Sequence, residues 1–467
     1  MFPVPAHHRF AGFMPGRPEL RGLVALAVPI ATVQVGLMFM GVVDTIMVGH
    51  VSASALAAVA VGNTYFFIAA VFGMGVLMAL DPIVSQAVGA HDEPAIARAV
   101  QRGFLIAAVI TAWTALVLFF AEPALRMLKQ PAEVIGPAAR YSRVLIPGAF
   151  PFFAFVVVRQ SLQSMTVIRP IILAIIIGNL CNIALNWVLI FGHFGFQAMG
   201  VAGAAWATSV SRLLLFLIVL AAGWPALHQY VRPWRRDAFE LAPVVRMLRL
   251  GAPIGLHTLL EYGAFACVMI AMGMLGTVQV ASHQVAINLA SLTFMVPLGV
   301  AQAGGVLVGQ AVGRGDSVHA RRAAGGAVLL GAGFMTGTAV AFLTIPRFLA
   351  GIYTSDPAVL ALSVSLIQIA GVFQIFDGLQ VVGAGVLRGV GDTRVPMMVG
   401  LIGFWLIGVP ASAYLGLATS AGARGLWWGL VVGLAVVGVF LVIRVYYRLR
   451  GELSRVAIDH DLVAVAG

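Results

Sequence analysis

Runs of about 20 apolar residues, each broken off by a few polar or charged ones, leave this chain very few folds. They fall at roughly 23–48, 55–79, 100–120, 141–162, 171–191 and 201–222, then 252–274, 280–308, 323–345, 362–386, 396–417 and 426–446. Each is long enough to cross the hydrocarbon of a bilayer as a helix. The runs are built of Gly, Ala, Leu, Val and Ile without steady alternation of period two. Barrel strands are therefore a poor fit, and helices, which satisfy their own backbone groups in lipid, are expected. Composition agrees, because 61% hydrophobic and 10% charged residues leave too little polar surface for a soluble chain of 467 residues. The expected class is an all-α polytopic membrane protein with twelve transmembrane helices.

The formal net charge of +11 belongs to this topology rather than to nucleic-acid binding. With the N-terminus inside, the inner segments collect most of the arginines, among them Arg98, Arg102, Arg235, Arg236, Arg321 and Arg322. The outer connections hold only Arg126, Lys129, Arg140, Arg143, Arg347 and Arg424. That bias is the positive-inside pattern, and it places both termini in the cytoplasm. Arg212 is left inside a span, where snorkelling, pairing with a carboxylate and facing a wet cavity all remain open. Cys181 and Cys267 also fall in spans and read as small core residues, not as a disulfide. The first twenty residues hold Pro3, Pro5, Pro15 and Pro18 and no apolar run of the kind a cleavable signal needs. His7, His8 and Arg9 are too sparse for a metal site. No GxxxxGK[ST] stretch suggests ATP use, and neither HExxH nor GxSxG suggests an enzyme.

The chain repeats itself. Val84-Ser-Gln-Ala-Val-Gly-Ala-His-Asp92 matches Val308-Gly-Gln-Ala-Val-Gly-Arg-Gly-Asp316, and Gly75-Val76 meets Gly299-Val300 at the same offset. Pro131-Ala132 meets Pro357-Ala358, the stretch from Leu162 to Arg169 meets that from Leu387 to Arg394, and Gly200 to Trp206 meets Gly422 to Trp428. Collinear matches of this kind indicate duplication. The expected organisation is a cytoplasmic tail at 1–22, an N-lobe at 23–222, a basic cytoplasmic linker at 223–250, a C-lobe at 251–447 and a cytoplasmic tail at 448–467. Six helices per lobe start both lobes on one side of the membrane. That relates them by an axis along the membrane normal, an arrangement known among secondary transporters, where two lobes rock about a central cavity.

Acids inside such spans are costly and functional by default. Glu261 lies about halfway along the stretch Gly251 to Gly276, with His257 one turn before it. Asp44 lies toward the outer part of the first span, and Asp377 lies in the tenth, flanked on one helix face by Gln374 and Gln380. None of these three acids has an acidic counterpart in the other repeat, which favours a task specific to each lobe over shared scaffolding. Asp81, before Pro82 at a span's end, reads as structural, and Ser355-Asp356-Pro357 as a helix start. Asn179, Asn182 and Asn186 share one side of the fifth span. Two readings stand beside each other: interhelical hydrogen-bond glue, or a cation or proton site shared with Asp44. In the eighth span His283 reads as a neutral hydrogen-bonding group or a titrating one. Gln284 and Asn288 are candidates for a cavity wall.

These stretches resemble the MATE family, and most closely its NorM-like bacterial branch. The likeness rests on VDTIMVGHVSASALAAVAVG, on Glu261, on ASHQVAINLASLTFMVPLGV and on FQIFDGLQVVGAGVLRGVGDT, and it runs from about Leu20 to Tyr447. The resemblance implies efflux of amphiphilic, often cationic drugs in exchange for inward Na⁺ or H⁺, with no other cofactor. It implies coupling-cation binding by Glu261 and Asp377, which are then the Na⁺ candidates. It further implies an N-lobe cation or proton site at Asp44, Asn179 and Asn182, and a substrate contact at Gln284. His283, Asn288, Gln374 and Gln380 complete the expected cavity. Asp356 stands where outer-mouth acids occur in relatives, but Ser355 beside it breaks an acidic pair. The expected setting is the bacterial inner membrane, with lipids and drugs as partners, no ATP and no nucleic acid, and a monomer sufficing. A lipid or lipid-linked oligosaccharide flippase is the alternative. It would need a more cationic cavity than Arg212 alone provides.

Overall fold

The computed structural model describes residues 11–459, which are helical with no strand among them; His7, His8 and Arg9 lie outside the described residues. Eleven helices are long and apolar enough to cross a membrane, and the count becomes twelve when the bent pair Ala132–Val144 and Ile146–Ser164, at 52°, is taken as one span. The others are Arg17–Gly49, Ala53–Gly89, Glu93–Phe119, Arg169–Phe191, Val201–Val231, Leu241–Leu275, Thr277–Gly313, Ser317–Thr344, Pro357–Gly389, Arg394–Leu417 and Gly422–Arg450. Each contains one of the apolar runs. At the bend, Pro147 opens the second helix of the pair, where its missing N–H costs nothing. The eleventh span carries a π-helical stretch at Leu401–Gly408.

Hydropathy marks the apolar middle of each helix, but the backbone pattern continues into polar turns. The Val201–Val231 and Leu241–Leu275 helices therefore reach deep into the basic connection expected at 223–250. Only residues 232–240 separate them, with a short 3₁₀ turn at Arg236–Phe239.

By contact the chain forms two compact units. The first, here the N-unit, is Thr32–Gly255 together with the described residues 457–459. The C-unit is Leu256–Val456 together with the described residues 11–31. The first and seventh helices thus change unit partway, shortly after Pro29 and Pro253, which the sequence repeat aligns. A proline inside a helix removes one backbone hydrogen bond and loosens it at that point. Glycines allow the crossed ends to seat. A Cβ on Gly299 would meet the Ala31 nitrogen at 2.7 Å, and Gly75 stands at the matching place against Gly255.

Turn chemistry explains why particular stretches recur. In the C-unit, Gly315 takes φ 73° and closes a helix as the Asp316 N–H donates to Ala311 O at 2.9 Å. Asp316 then caps the next helix, accepting from the His319 N–H at 2.9 Å. In the N-unit, His91 takes φ 56°, the Asp92 N–H donates to Ala87 O at 2.9 Å, and Asp92 accepts from the Ala95 N–H at 3.1 Å. Thr166 and Gly391, at φ 62° and 75°, make the second such pair. There Val167 donates to Leu162 O at 2.8 Å and Asp392 to Leu387 O at 2.9 Å.

The final described residues pack in the N-unit. Asp459 takes Arg98 at 2.8 Å and the fully buried Arg102 at 2.6 Å. Arg246 donates to Ile458 O at 2.6 Å.

Candidate functional site

In the N-unit the fifth span opens on Arg169-Pro170 and ends at Gly192, a left-handed residue at φ 80° whose N–H reaches Val188 O. Between these ends the helix aims two of its three asparagines at the first span. Asn182 and Asn186 both donate to Asp44 Oδ1, at 3.1 and 2.6 Å, and Asn186 also reaches Asn182 Oδ1 at 3.2 Å. The third donor is the Thr208 hydroxyl, 3.1 Å from Asp44 Oδ2 and 2.9 Å from its own helix carbonyl at Ala204. Asp44, Asn182, Asn186 and Thr208 are all buried. Asn179 does something else: its amide donates to Gly36 O at 3.0 Å and to Ile175 O at 2.9 Å. Glue and acid-binding thus occur side by side along one helix face.

Arg212, one turn after Thr208, is buried. Its guanidinium lies 3.9 Å from the centroid of Phe66 and 5.0 Å from that of Phe152. Thr208 and these two rings are the parts of the site that sequence reasoning missed. Asn186 was signalled by the asparagine spacing. A threonine that bonds its own helix carbonyl leaves no such signal.

In the C-unit the seventh and tenth helices touch on either side of Glu261 and Asp377, through His257 with Gln380 and through Phe265 with Phe373. Asp377 is buried and Glu261 half-buried. Neither forms an ion pair among the described residues. Gln380 lies one turn beyond Asp377, and its Nε2 is 3.2 Å from His257 Nε2. His257 is held where Gly400 lacks a side chain, since a Cβ there would stand 2.5 Å from Nδ1. Trp405, in the π-helical stretch, donates to Leu260 O at 2.9 Å and steadies the turn that carries Glu261. Gln380 Oε1 is buried without a hydrogen-bond partner, a hard oxygen on the helix face that carries Asp377, and such oxygens suit a hard cation or a proton.

The remaining cavity candidates divide. Gln374 donates to Thr293 and accepts from Thr338 at 3.4 Å, and is fully buried. His283 is buried edge-on to Trp427 at 5.7 Å. Trp427 also packs against Phe373, which meets Phe265. Gln284 is exposed and donates to Asn288 Oδ1 at 3.2 Å. Asp356 caps the tenth span, accepting from the N–H groups of Ala358 and Val359 at 2.9 and 3.0 Å. Among the described residues no three His, Cys, Asp or Glu side chains gather as a metal centre.

Apolar helices in two repeated units, each burying acids among amides, define a multi-pass membrane protein of the secondary-transporter kind. The chain belongs to the MatE family, whose model matches residues 29–188 and again 253–414. The double match repeats the duplication seen in the sequence. The probable multidrug resistance protein NorM of Rhizobium meliloti is 37% identical over 444 residues, covering 92% of this chain and 94% of its own. The multidrug resistance protein MdtK of Pectobacterium atrosepticum is 35% identical over 447 residues, covering 94% and 97%. The fold is also that of the eukaryotic MATE transporter AtDTX14, with a TM-score of 0.85, 22% identity and coverage of 94% and 99%. The family consists of transporters, not enzymes.

Proposed function

We propose that this protein is a multidrug efflux antiporter of the bacterial inner membrane, exporting amphiphilic and cationic compounds in exchange for inward Na⁺ or H⁺ by alternating access. The supporting observation is the two acids within membrane spans, Glu261 and Asp377, without ion pairs among the described residues, on helices that meet at His257 and the otherwise unpartnered Gln380. Two carboxylates in a low-dielectric setting cannot both stay charged cheaply, so a proton or a hard cation is favoured there. Relatives named for multidrug resistance supply the substrate class.

Glu261 and Asp377 bind the coupling ion in this reading. Asp44 with Asn182 forms a second proton or cation site in the N-unit, where Asn179 ties the fifth span to the first. Gln284, Asn288 and His283 serve the substrate, and Gln374 and Gln380 hold the polar face of the tenth span in place. Both termini lie in the cytoplasm, as the arginine bias directs, and one chain suffices for transport. Ion occupation of the acids favours the state that releases drug, and drug binding favours the state that releases the ion.

Cells expressing Glu261→Gln should accumulate ethidium as fully as cells without the transporter, with the variant present in the membrane at wild-type level. Efflux at the wild-type rate by the inserted variant would remove Glu261 from the mechanism.

A further inference from the structure

Arg212 is the one buried cation of the N-unit site that the coupling scheme leaves unused. It follows Thr208 by four residues in the Val201–Val231 helix, so the two side chains share a face. The single Thr208 hydroxyl proton is shared between Asp44 Oδ2 at 3.1 Å and the Ala204 carbonyl at 2.9 Å. The Arg212 guanidinium carbon lies 3.9 Å from the centroid of Phe66 and 5.0 Å from that of Phe152. The two rings meet edge to face at 5.6 Å, forming two walls of an aromatic corner. Arg212 Nη1 is buried with no hydrogen-bond partner.

Ring faces attract a guanidinium but accept no full hydrogen bond from it. A buried cation also needs an opposite charge to offset its lost hydration. Asp44 is the acid that this helix face reaches, through Thr208 one turn before Arg212, and Tyr141 is a further buried titratable group of the N-unit. Asp44 already accepts from Asn182, Asn186 and Thr208. Its remaining requirement is therefore charge, not more hydrogen bonds.

We propose that Arg212 is the resident counter-ion of Asp44, a tethered cation that takes the place of a free metal cation in the N-unit and so sets what that site accepts. This rests on the reading of Asp44 as an ion site and narrows it. While the guanidinium stays on its aromatic corner, Na⁺ gains little at Asp44. Metal coupling is then left to Glu261 and Asp377 in the C-unit. A proton, which removes the Asp44 charge instead of adding a second cation beside it, is not excluded in the same way.

Equilibrium binding of radioactive Na⁺ to purified, detergent-solubilised full-length protein tests this. Asp44→Asn should leave saturable Na⁺ binding as in wild type. Arg212→Met should gain a further saturable site, and Arg212→Met combined with Asp44→Asn should lose it again. Arg212→Lys should restore exclusion. Loss of Na⁺ binding in Asp44→Asn, or no gain in a monodisperse Arg212→Met, would overturn the proposal. Should Arg212→Met fail to fold, Phe66→Leu loosens the aromatic corner and should give a weaker Asp44-dependent Na⁺ site. Its absence in folded Phe66→Leu would then count against the proposal. The gain is scored whether or not wild type binds Na⁺ at Glu261 and Asp377, so failure of the coupling scheme shows separately.

Discussion

Asp44 accepts from three side chains, and their loss should not cost the same. Asn186 donates over 2.6 Å to a buried carboxylate. Hydrogen bonds to charged groups contribute about 1.5–3 kcal/mol, so Asn186→Ala should destabilise the protein by that order. Asn179 serves backbone carbonyls, and Asn179→Ala should cost only about 0.6–2 kcal/mol. Thermal unfolding in detergent orders the two, and a larger loss for Asn179 would contradict the assignment. The acids themselves were legible from sequence, because a carboxylate in an apolar run has few neutral explanations. The spacing of the asparagines put them on one side of a helix, but which of them meets Asp44 depends on the axial register between the first and fifth spans. No pattern within either run specifies that register. The same limit hid the Phe66–Phe152 corner, since aromatic residues in a span more often face lipid or packing.

At the scale of elements, what repeats is the end of each helix. His91 and Thr166 hold left-handed positions that Gly315 and Gly391 fill in the other unit. A side chain with a Cβ is strained there by about 1–2 kcal/mol, while glycine gives back about 0.5–1 kcal/mol in unfolded-chain entropy. Thr166→Gly should therefore be neutral or stabilising by up to about 1 kcal/mol. Gly391→Ala should destabilise, both through strain and because its Cβ would collide with Val456. Asp316→Ala should cost about 1 kcal/mol through the lost cap. The His319 backbone N–H, with its imidazole, holds the Asp316 carboxyl below its ordinary value of 3.8. Its folded value is thus the depressed one. The contribution is fully present above about 3.8 and is lost as the pH falls below that value. Equal stabilities of Asp316→Ala and wild type at neutral pH would contradict the cap. These helix ends were readable as matching strings such as QAVG followed by Asp. The helix lengths were not, because polar turns continue a helix after hydropathy has fallen.

For the whole molecule, the two units are not the two halves of the sequence. The first and seventh helices each begin in one unit and end in the other. The C-terminal stretch likewise returns to the N-unit, where Asp459 neutralises the buried Arg102. Nothing in the tail's composition announces that contact, since one aspartate near a chain end is ordinarily solvated. Removing one partner of a buried ion pair costs about 3–5 kcal/mol. Asp459→Asn should lower the stability of the solubilised protein by that order, and an unchanged melting temperature would show the pair to be dispensable. Coupling through Glu261 belongs to the whole molecule. It is tested most directly by ethidium efflux from proteoliposomes under an imposed Na⁺ gradient and then a pH gradient, for wild type and Glu261→Gln. Wild type should show efflux under at least one gradient, and Glu261→Gln under neither. Gradient-driven efflux at wild-type rate by folded Glu261→Gln, or none by folded wild type, would contradict it.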